Sequence, residues 1–244
     1  MELLYNIHIT GDITLETGLH IGGSEIELEI GGIDNAVAKD LSSKDQKPYI
    51  PGSSFKGKMR HLIAAKKDFD DISFDVDETF ILFGEGASDG TRKNGKLLVR
   101  DFFIKDGEEF KLEDKAENTI NRVSGGAKPR NIERVVKGAT FSIDMMLKVY
   151  DKLKVKTERR KNDDVFKNIY EIKKVDVDKL LETIKLGFTL MAHDYIGGSG
   201  SRGYGKIKFN FENKPLQINF MENGNISTKD YDFDFNFIDE NENN

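Results

Sequence analysis

The stretch EIGGIDNAVAKD, residues 29–40, places the carboxylate of Asp34 shortly after two adjacent glycines. So much glycine disfavours a helix, and the side chain is therefore expected on a loop. A carboxylate on a glycine-rich loop can take part in chemistry, but Asp and Asn more commonly cap turns. The residues of this stretch leave both roles open.

Three glycine-rich segments contain most of the remaining candidates: GLHIGGSEIELEIGGIDN, GSSFKGKMR and GGSGSRGYGK. Glycine lets backbone N–H groups approach an anion closely, and neighbouring Ser, Lys and Arg add charge-assisted hydrogen bonds. Several separate phosphate sites favour a polynucleotide backbone as the ligand. The predicted RNA-binding residues of the second and third segments are Ser53, Ser54, Lys56, Lys58, Arg60, Gly198, Ser199, Ser201 and Arg202.

Two of these segments also contain the G-x-x-x-x-G-K part of a phosphate loop, at residues 52–58 and 200–206. The next residues are Met59 and Ile207, which lack the hydroxyl that holds Mg²⁺ in such loops. This difference disfavours nucleotide hydrolysis. It leaves open a glycine-lined cradle for phosphates of another kind.

A fourth segment, RVSGGAKPRNIERV, is basic and is too polar for a core. It supplies Arg122, Lys128, Arg130 and Arg134 as candidate RNA contacts, with Glu133 opposing them. A solvated β-hairpin fits the same composition equally well. His20 is the histidine with a glycine-rich context, and it joins the candidates for RNA binding.

The elements that position these residues follow from hydrophobic periodicity. Alternating residues predict strands in LLYNIHITGDITLET, GKLLVRDFFI, ATFSIDMMLKVY and GKIKFNF. Helical spacing predicts one helix beginning after Ser53 and Ser54 and another over residues 175–192. The order strand, helix, strand, strand, helix, strand indicates an α+β, ferredoxin-like core.

Composition sets broader limits on the 244-residue chain, which has no cysteine. Disulfides, thiolate catalysis and cysteine-bound zinc are therefore excluded. The net charge is −6, and the last fifteen residues carry six acidic residues and no base, so residues 1–229 are neutral. We expect one domain over residues 1–212 and an acidic, Asn/Asp-rich tail over 213–244. Without a basic leader or a long apolar run, a cytoplasmic protein that does not bind membranes is expected.

The motifs TGLHIGG, EIGGIDN, YIPGSSFKGKMR, LFGE, ENTINR, AKPRNIERV and YIGGSGSRGYGKI occur in this order. Together they closely resemble the backbone subunit of the Csm-type (type III-A) CRISPR interference complex, a member of the RAMP superfamily. The resemblance runs from about residue 3 to about residue 211. It leaves out the acidic tail, and segments 68–78 and 156–168 resemble lineage-specific insertions.

The resemblance implies an RRM-like palm that polymerises with copies of itself along a guide crRNA, beside other Csm subunits. It implies a thumb β-hairpin, placed within residues 112–136, that interrupts the duplex of guide and target RNA. Ile120, Val123 or Ile132 could wedge between the bases there. It also implies that Asp34 is the catalytic residue that cuts target RNA, with a divalent cation such as Mg²⁺ or Mn²⁺. Whether Asp34 is a metal ligand or a general base stays open.

Two alternatives remain at this stage. The first is the same filament acting as a non-catalytic RNA scaffold. The second is a guide-RNA-processing endoribonuclease of the same superfamily that uses His20 as an acid or base.

Overall fold

A computed structural model describes residues 2–23, 36–67, 77–85, 93–120, 123, 125–162, 165–221 and 224–236. The helices are α1 Gly52–Lys66, α2 Asp77–Phe83 and α3 Val177–Ala192. The strands are β1 Leu3–Leu15, β2 Tyr49–Ile50, β3 Gly84–Glu85, β4 Lys93–Asn94, β5 Leu97–Val99, β6 Phe102–Phe103, β7 Leu112–Ile120, β8 Ala127–Val135, β9 Thr140–Tyr150, β10 Lys152–Asn162, β11 Val165–Lys174, β12 Ile207–Asn210, β13 Leu216–Phe220 and β14 Ile226–Asp230.

The main sheet is antiparallel and has six strands in the order β14–β13–β1–β9–β5, with β12 also paired to β1. Strand β1 is long enough to pair with β9 on one side and with both β12 and β13 on the other. Its alternating residues Ile7, Ile9, Ile13 and Leu15 are buried in the core, as the period of two predicts. The fold is therefore mixed, with a large sheet and three described helices.

Helices α1 and α3 pack against each other and share this core. The predicted helix over 175–192 is confirmed by α3, which Asp176 caps by accepting from the Lys179 N–H (3.3 Å). The two helices approach closely at Gly187, where a Cβ would lie 2.6 Å from Met59 Cγ.

The start of α1 differs from the prediction. The helix begins at Gly52, so Ser53 and Ser54 lie inside its first turn instead of capping it. The Gly52 N–H donates to the Asp101 carboxylate (2.8 Å), which supplies the negative charge favoured at a helix N-terminus. The phosphate-loop pattern at 52–58 is thus helical from its first residue.

Two long hairpins extend from the sheet. Strands β7 and β8 form one within the predicted range 112–136. Strands β10 and β11 form the other, which includes the described part of the predicted insertion 156–168. Buried Lys156 holds the second hairpin on the body through Glu85 (3.1 Å).

The sheet continues beyond the boundary predicted at residue 212. Strand β13 pairs with β1, and β14 forms the edge. Phe235 is buried, and its ring centre lies 5.3 Å from that of Phe211 and 5.6 Å from that of Phe188. Burial, followed by the Asp178 carboxylate, raises the pKa of Tyr231 above its ordinary value. Residues 213–236 are therefore part of the folded body, whereas residues 237–244 lie outside the described residues.

Among the described helices, none is both long and apolar enough to span a membrane.

Candidate nucleic-acid interface

Residues from all three glycine-rich segments meet on one face of the protein. The Gly198 N–H donates to the His20 carbonyl oxygen (2.8 Å), and the Gly205 N–H donates to that of Gly18 (2.9 Å). From α1, in the second segment, the Lys58 ammonium lies 3.9 Å from the centre of the Tyr195 ring, two residues before the third segment. We call this surface the glycine face.

The loop over residues 197–205, the terminal glycine loop, requires its glycines. Gly205 has a positive φ of 74°, and a Cβ there would collide with the carbonyl oxygen of Ile196. Ser201 and Arg202 are exposed in the intervening 3₁₀ turn. The Arg202 guanidinium pairs with Glu117 of β7, which ties the loop to the first hairpin.

His20 has a defined orientation on this face. Its Nδ1 lies 2.7 Å from the Glu133 carbonyl oxygen. Because a carbonyl oxygen can only accept, Nδ1 carries the hydrogen, and Nε2 of the neutral ring is the basic nitrogen.

Glu133 is a functional candidate that the sequence analysis treated only as an opposing charge. It is 4% exposed, and its carboxylate accepts from the Val37 N–H (2.9 Å) and from the Lys39 ammonium (2.9 Å). The Gly23 N–H donates to the Ala36 carbonyl oxygen (3.0 Å). The residues on either side of segment 24–35 are therefore hydrogen-bonded to each other. Glu133 fixes the position of the chain just after that segment.

Asp34 lies outside the described residues, two positions before Ala36. Arg122 lies outside them too, and for Lys128 the structure describes only the backbone, in β8. Within the described ranges, no three Asp, Glu or His side chains converge as metal ligands. Both Glu133 oxygens are already engaged, so the described residues beside segment 24–35 do not themselves make a cation site.

Asp40, farther along the same connection, is a turn residue. Its carboxylate accepts from the backbone N–H and the hydroxyl of Ser42 (2.9 and 2.7 Å). These hydrogen bonds lower the pKa of Asp40.

At the base of the first hairpin, Arg134 points toward the body. Its Nε lies 2.5 Å from a Glu113 carboxylate oxygen, and its guanidinium carbon lies 4.8 Å from the Tyr204 ring centre. Arg130 is exposed on the same strand. Burial, followed by the nearby Glu117 carboxylate, raises the pKa of Tyr204 to about 12. Of the two predicted bases of this segment whose side chains are described, Arg130 is exposed and Arg134 packs against the glycine face.

The three predicted RNA-binding bases of α1, Lys56, Lys58 and Arg60, point in two directions. Lys56 donates to the Leu97 carbonyl oxygen (2.5 Å) and lines a cavity together with Arg60. Lys58 pairs with Asp194 (2.7 Å) near the glycine face. Residues four apart share a helix face, whereas residues two apart do not.

The candidate wedge residues also differ from one another. Ile120 is 65% exposed and Val123 is 98% exposed, and both lie in the distal part of the first hairpin. Ile132 is 7% exposed, so the suggestion that it could insert between bases is wrong.

Comparisons with known proteins give the family. The RAMP superfamily matches residues 12–208. The Streptococcus thermophilus protein named CRISPR system Cms endoribonuclease Csm3 is 38% identical over 213 residues, which cover 83% of this chain and 86% of that protein. The protein of the same name from Enterococcus italicus is 35% identical over 237 residues, which cover 91% and 98%.

A solved structure agrees with these relatives. The crystal structure of the Csm3–Csm4 subcomplex in the type III-A CRISPR-Cas interference complex contains a chain with a TM-score of 0.53 and 25% identity, covering 94% of this chain and 90% of that chain. This chain belongs to the RAMP superfamily and, within it, to the Csm3 family.

Proposed function

We propose that this chain is the multi-copy backbone subunit of a type III-A CRISPR (Csm) effector, which binds guide crRNA along a helical filament and cleaves complementary target RNA at regular intervals. Its relatives are named endoribonucleases of a CRISPR system, and the similar solved chain comes from a type III-A interference complex. The observation that carries the proposal is the meeting of the three glycine-rich segments on one face.

The arrangement of the sheet supports a ferredoxin-like, RRM-like palm. Its central strands follow the order β12–β1–β9–β5, with α1 in the chain between β1 and β5 and α3 between β9 and β12. The hairpin β7–β8 would be the thumb. Exposed Ile120 and Val123 support a role for it in separating base pairs of the guide–target duplex.

The guide backbone would lie along the glycine face. Ser199, Ser201 and Arg202 offer hydroxyl and guanidinium donors, and Lys58 and His20 border the same surface. Such contacts go to phosphate and sugar, so they position an RNA of any sequence. This suits a guide that differs from one effector to the next.

Asp34 would perform the cleavage. In this reaction the 2′-hydroxyl of the target gives up its proton and attacks the adjacent phosphorus, the bond from phosphorus to the 5′-oxygen breaks, and the leaving 5′-oxygen takes up a proton. The products are a 2′,3′-cyclic phosphate and a 5′-hydroxyl. The protein has to hold the strand in line and stabilise the developing charge. Mg²⁺ or Mn²⁺ held by Asp34 and phosphate oxygens would supply that charge stabilisation when bound.

The residues that follow Asp34 in the sequence are anchored to β8, which supports this assignment. Asp34 is two residues from Ala36, and two peptide units span at most about 7 Å. The chain just beyond Ala36 is fixed to β8 by Glu133. The hairpin β7–β8 is therefore joined through a buried contact to the residues that follow Asp34 in the chain.

The orientation of His20 favours one second candidate, a guide-processing endoribonuclease, because its Nε2 is the basic nitrogen. This candidate expects metal-independent cleavage of hairpin RNA by the isolated chain, with loss of cleavage in His20→Ala. The backbone proposal expects no such cleavage by the isolated chain.

Co-purification tests the proposal before any cleavage assay. We expect the assembled complex to retain RNA of discrete lengths, because each added subunit covers a fixed length of guide. A complex that assembles without RNA, or with RNA of continuous length distribution, would contradict a filament measured along a guide.

A further inference from the structure

A second cationic surface lies away from the glycine face. A cavity of about 370 Å³ opens between α1, β5 and β9. It is lined by four cations, Lys56 and Arg60 from α1, Lys96 just before β5, and Lys148 of β9. We call it the edge cavity, because β5 is an edge strand of the main sheet.

The positive charge of the edge cavity is not balanced by the carboxylate that lines it. Glu85 is engaged by the Lys156 ammonium (3.1 Å) and the Tyr170 hydroxyl (3.0 Å). Lys156 is almost fully buried, so its charge offsets that of Glu85. Lys56, Lys96 and Lys148 therefore leave the described lining of the cavity net positive.

Lys56, Lys96 and Lys148 make no ion pair within the described part of the chain. Lys56 donates to a carbonyl oxygen, and Lys96 lies 4.9 Å from the Tyr150 ring centre. Burial, followed by Arg60, lowers the pKa of Lys56, and burial, followed by Lys148, lowers that of Lys96. By contrast, Lys58 and Lys105 each have a carboxylate within 2.7 Å.

Lys56 and Lys96 are partly buried and Lys148 is exposed beside them. Gathering these like charges without a counter-charge is unfavourable for the free protein, and an anion would reverse this. We infer that the edge cavity binds phosphate groups of an RNA backbone, as a second RNA contact separate from the glycine face. Helix α1 borders both surfaces, through Lys56 and Arg60 on one side and Lys58 on the other. This inference rests on the proposed function and extends it to Lys96 and Lys148.

The test compares two double variants of the full chain. Lys96→Gln/Lys148→Gln removes two charges from the edge cavity. Lys208→Gln/Lys229→Gln removes two exposed lysines from β12 and β14 of the same sheet and serves as the matched control. Affinity for a single-stranded RNA is measured over a series of salt concentrations, and circular dichroism checks the fold.

We expect the slope of log affinity against log salt to become shallower by about 1.4 in the first variant, at about 0.7 for each lost phosphate contact, and to stay unchanged in the control. An unchanged slope in a folded first variant would overturn the inference while leaving the proposed function intact. A second measurement follows heat unfolding with and without inorganic phosphate. Phosphate protection that is lost in the first variant, together with an unchanged RNA slope, would mean that the cavity binds free anions, and the inference would also fail. Wild-type protein that binds no RNA would instead contradict the proposed function, and this inference with it.

Discussion

Replacing Glu133 tests whether a buried carboxylate holds together the hairpin and the segment after Ala36. In Glu133→Ala, the buried N–H of Val37 loses its acceptor, at a cost of about 1–3 kcal/mol. The Lys39 ammonium loses its partner too, but its side chain is 24% exposed and can turn to water, so this adds about 0–1 kcal/mol. We expect the free energy of unfolding to fall by about 1–4 kcal/mol, and by less in Glu133→Gln, whose amide oxygen can still accept from Val37.

Urea denaturation followed by circular dichroism measures this loss. The matched control is Glu113→Ala on the neighbouring strand, because Glu113 is also paired with a base but its side chain is 42% exposed. An exposed pair of this kind contributes about 0–1 kcal/mol. If Glu133→Ala destabilises the protein no more than Glu113→Ala does, the anchoring argument is refuted. In Glu133→Gln, we also expect target cleavage to fall while guide retention stays near that of the wild type.

Three further predictions concern the other parts of the interface. Arg202→Ala should weaken guide retention and assembly, and unchanged retention in pull-down assays would make the terminal glycine loop purely structural. A hairpin shortened between Ile120 and Ala127 should keep a folded palm but lose the even spacing of target fragments on a sequencing gel, and evenly spaced fragments would place the wedge elsewhere. Because the folded pKa of Tyr204 is about 12 and its ordinary value is 10.0, its contribution to stability is complete below pH 10 and is lost as the pH rises toward 12. Tyr204→Phe should therefore flatten the fall in unfolding free energy over that range, and an identical pH profile would contradict the assignment.

Hydrophobic periodicity was sufficient to predict the elements whose buried residues lie close together in the sequence. The alternation in β1 and β9 and the helical spacing in α3 predicted their positions to within a few residues. The start of α1 was missed because its N-terminal partner, Asp101, is 49 residues away. No nearby residue signals that Ser53 and Ser54 are not needed as caps.

The site was harder to predict for the same reason. Glu133 contacts Val37 and Lys39, which are 96 and 94 residues away, so its burial has no local signature. The division of the α1 bases could have been predicted, since positions 56 and 60 share a helix face and position 58 does not. The sequence around Phe235 is that of a polar tail, and its burial against Phe188 of α3 and Phe211, just after β12, is not apparent from neighbouring residues.

The central claim is that Asp34 makes this backbone subunit a nuclease. The most direct measurement is cleavage of a complementary target RNA by the reconstituted complex, with wild-type, Asp34→Ala or Asp34→Asn protein, and with Asp45→Ala as a control on the same connection. We predict that both Asp34 variants assemble, retain guide and bind target like the wild type but do not cut it, and that Asp45→Ala cuts normally. We further predict that a chelator stops wild-type cleavage. Full cleavage by Asp34→Ala, at the same sites as the wild type, would contradict the claim.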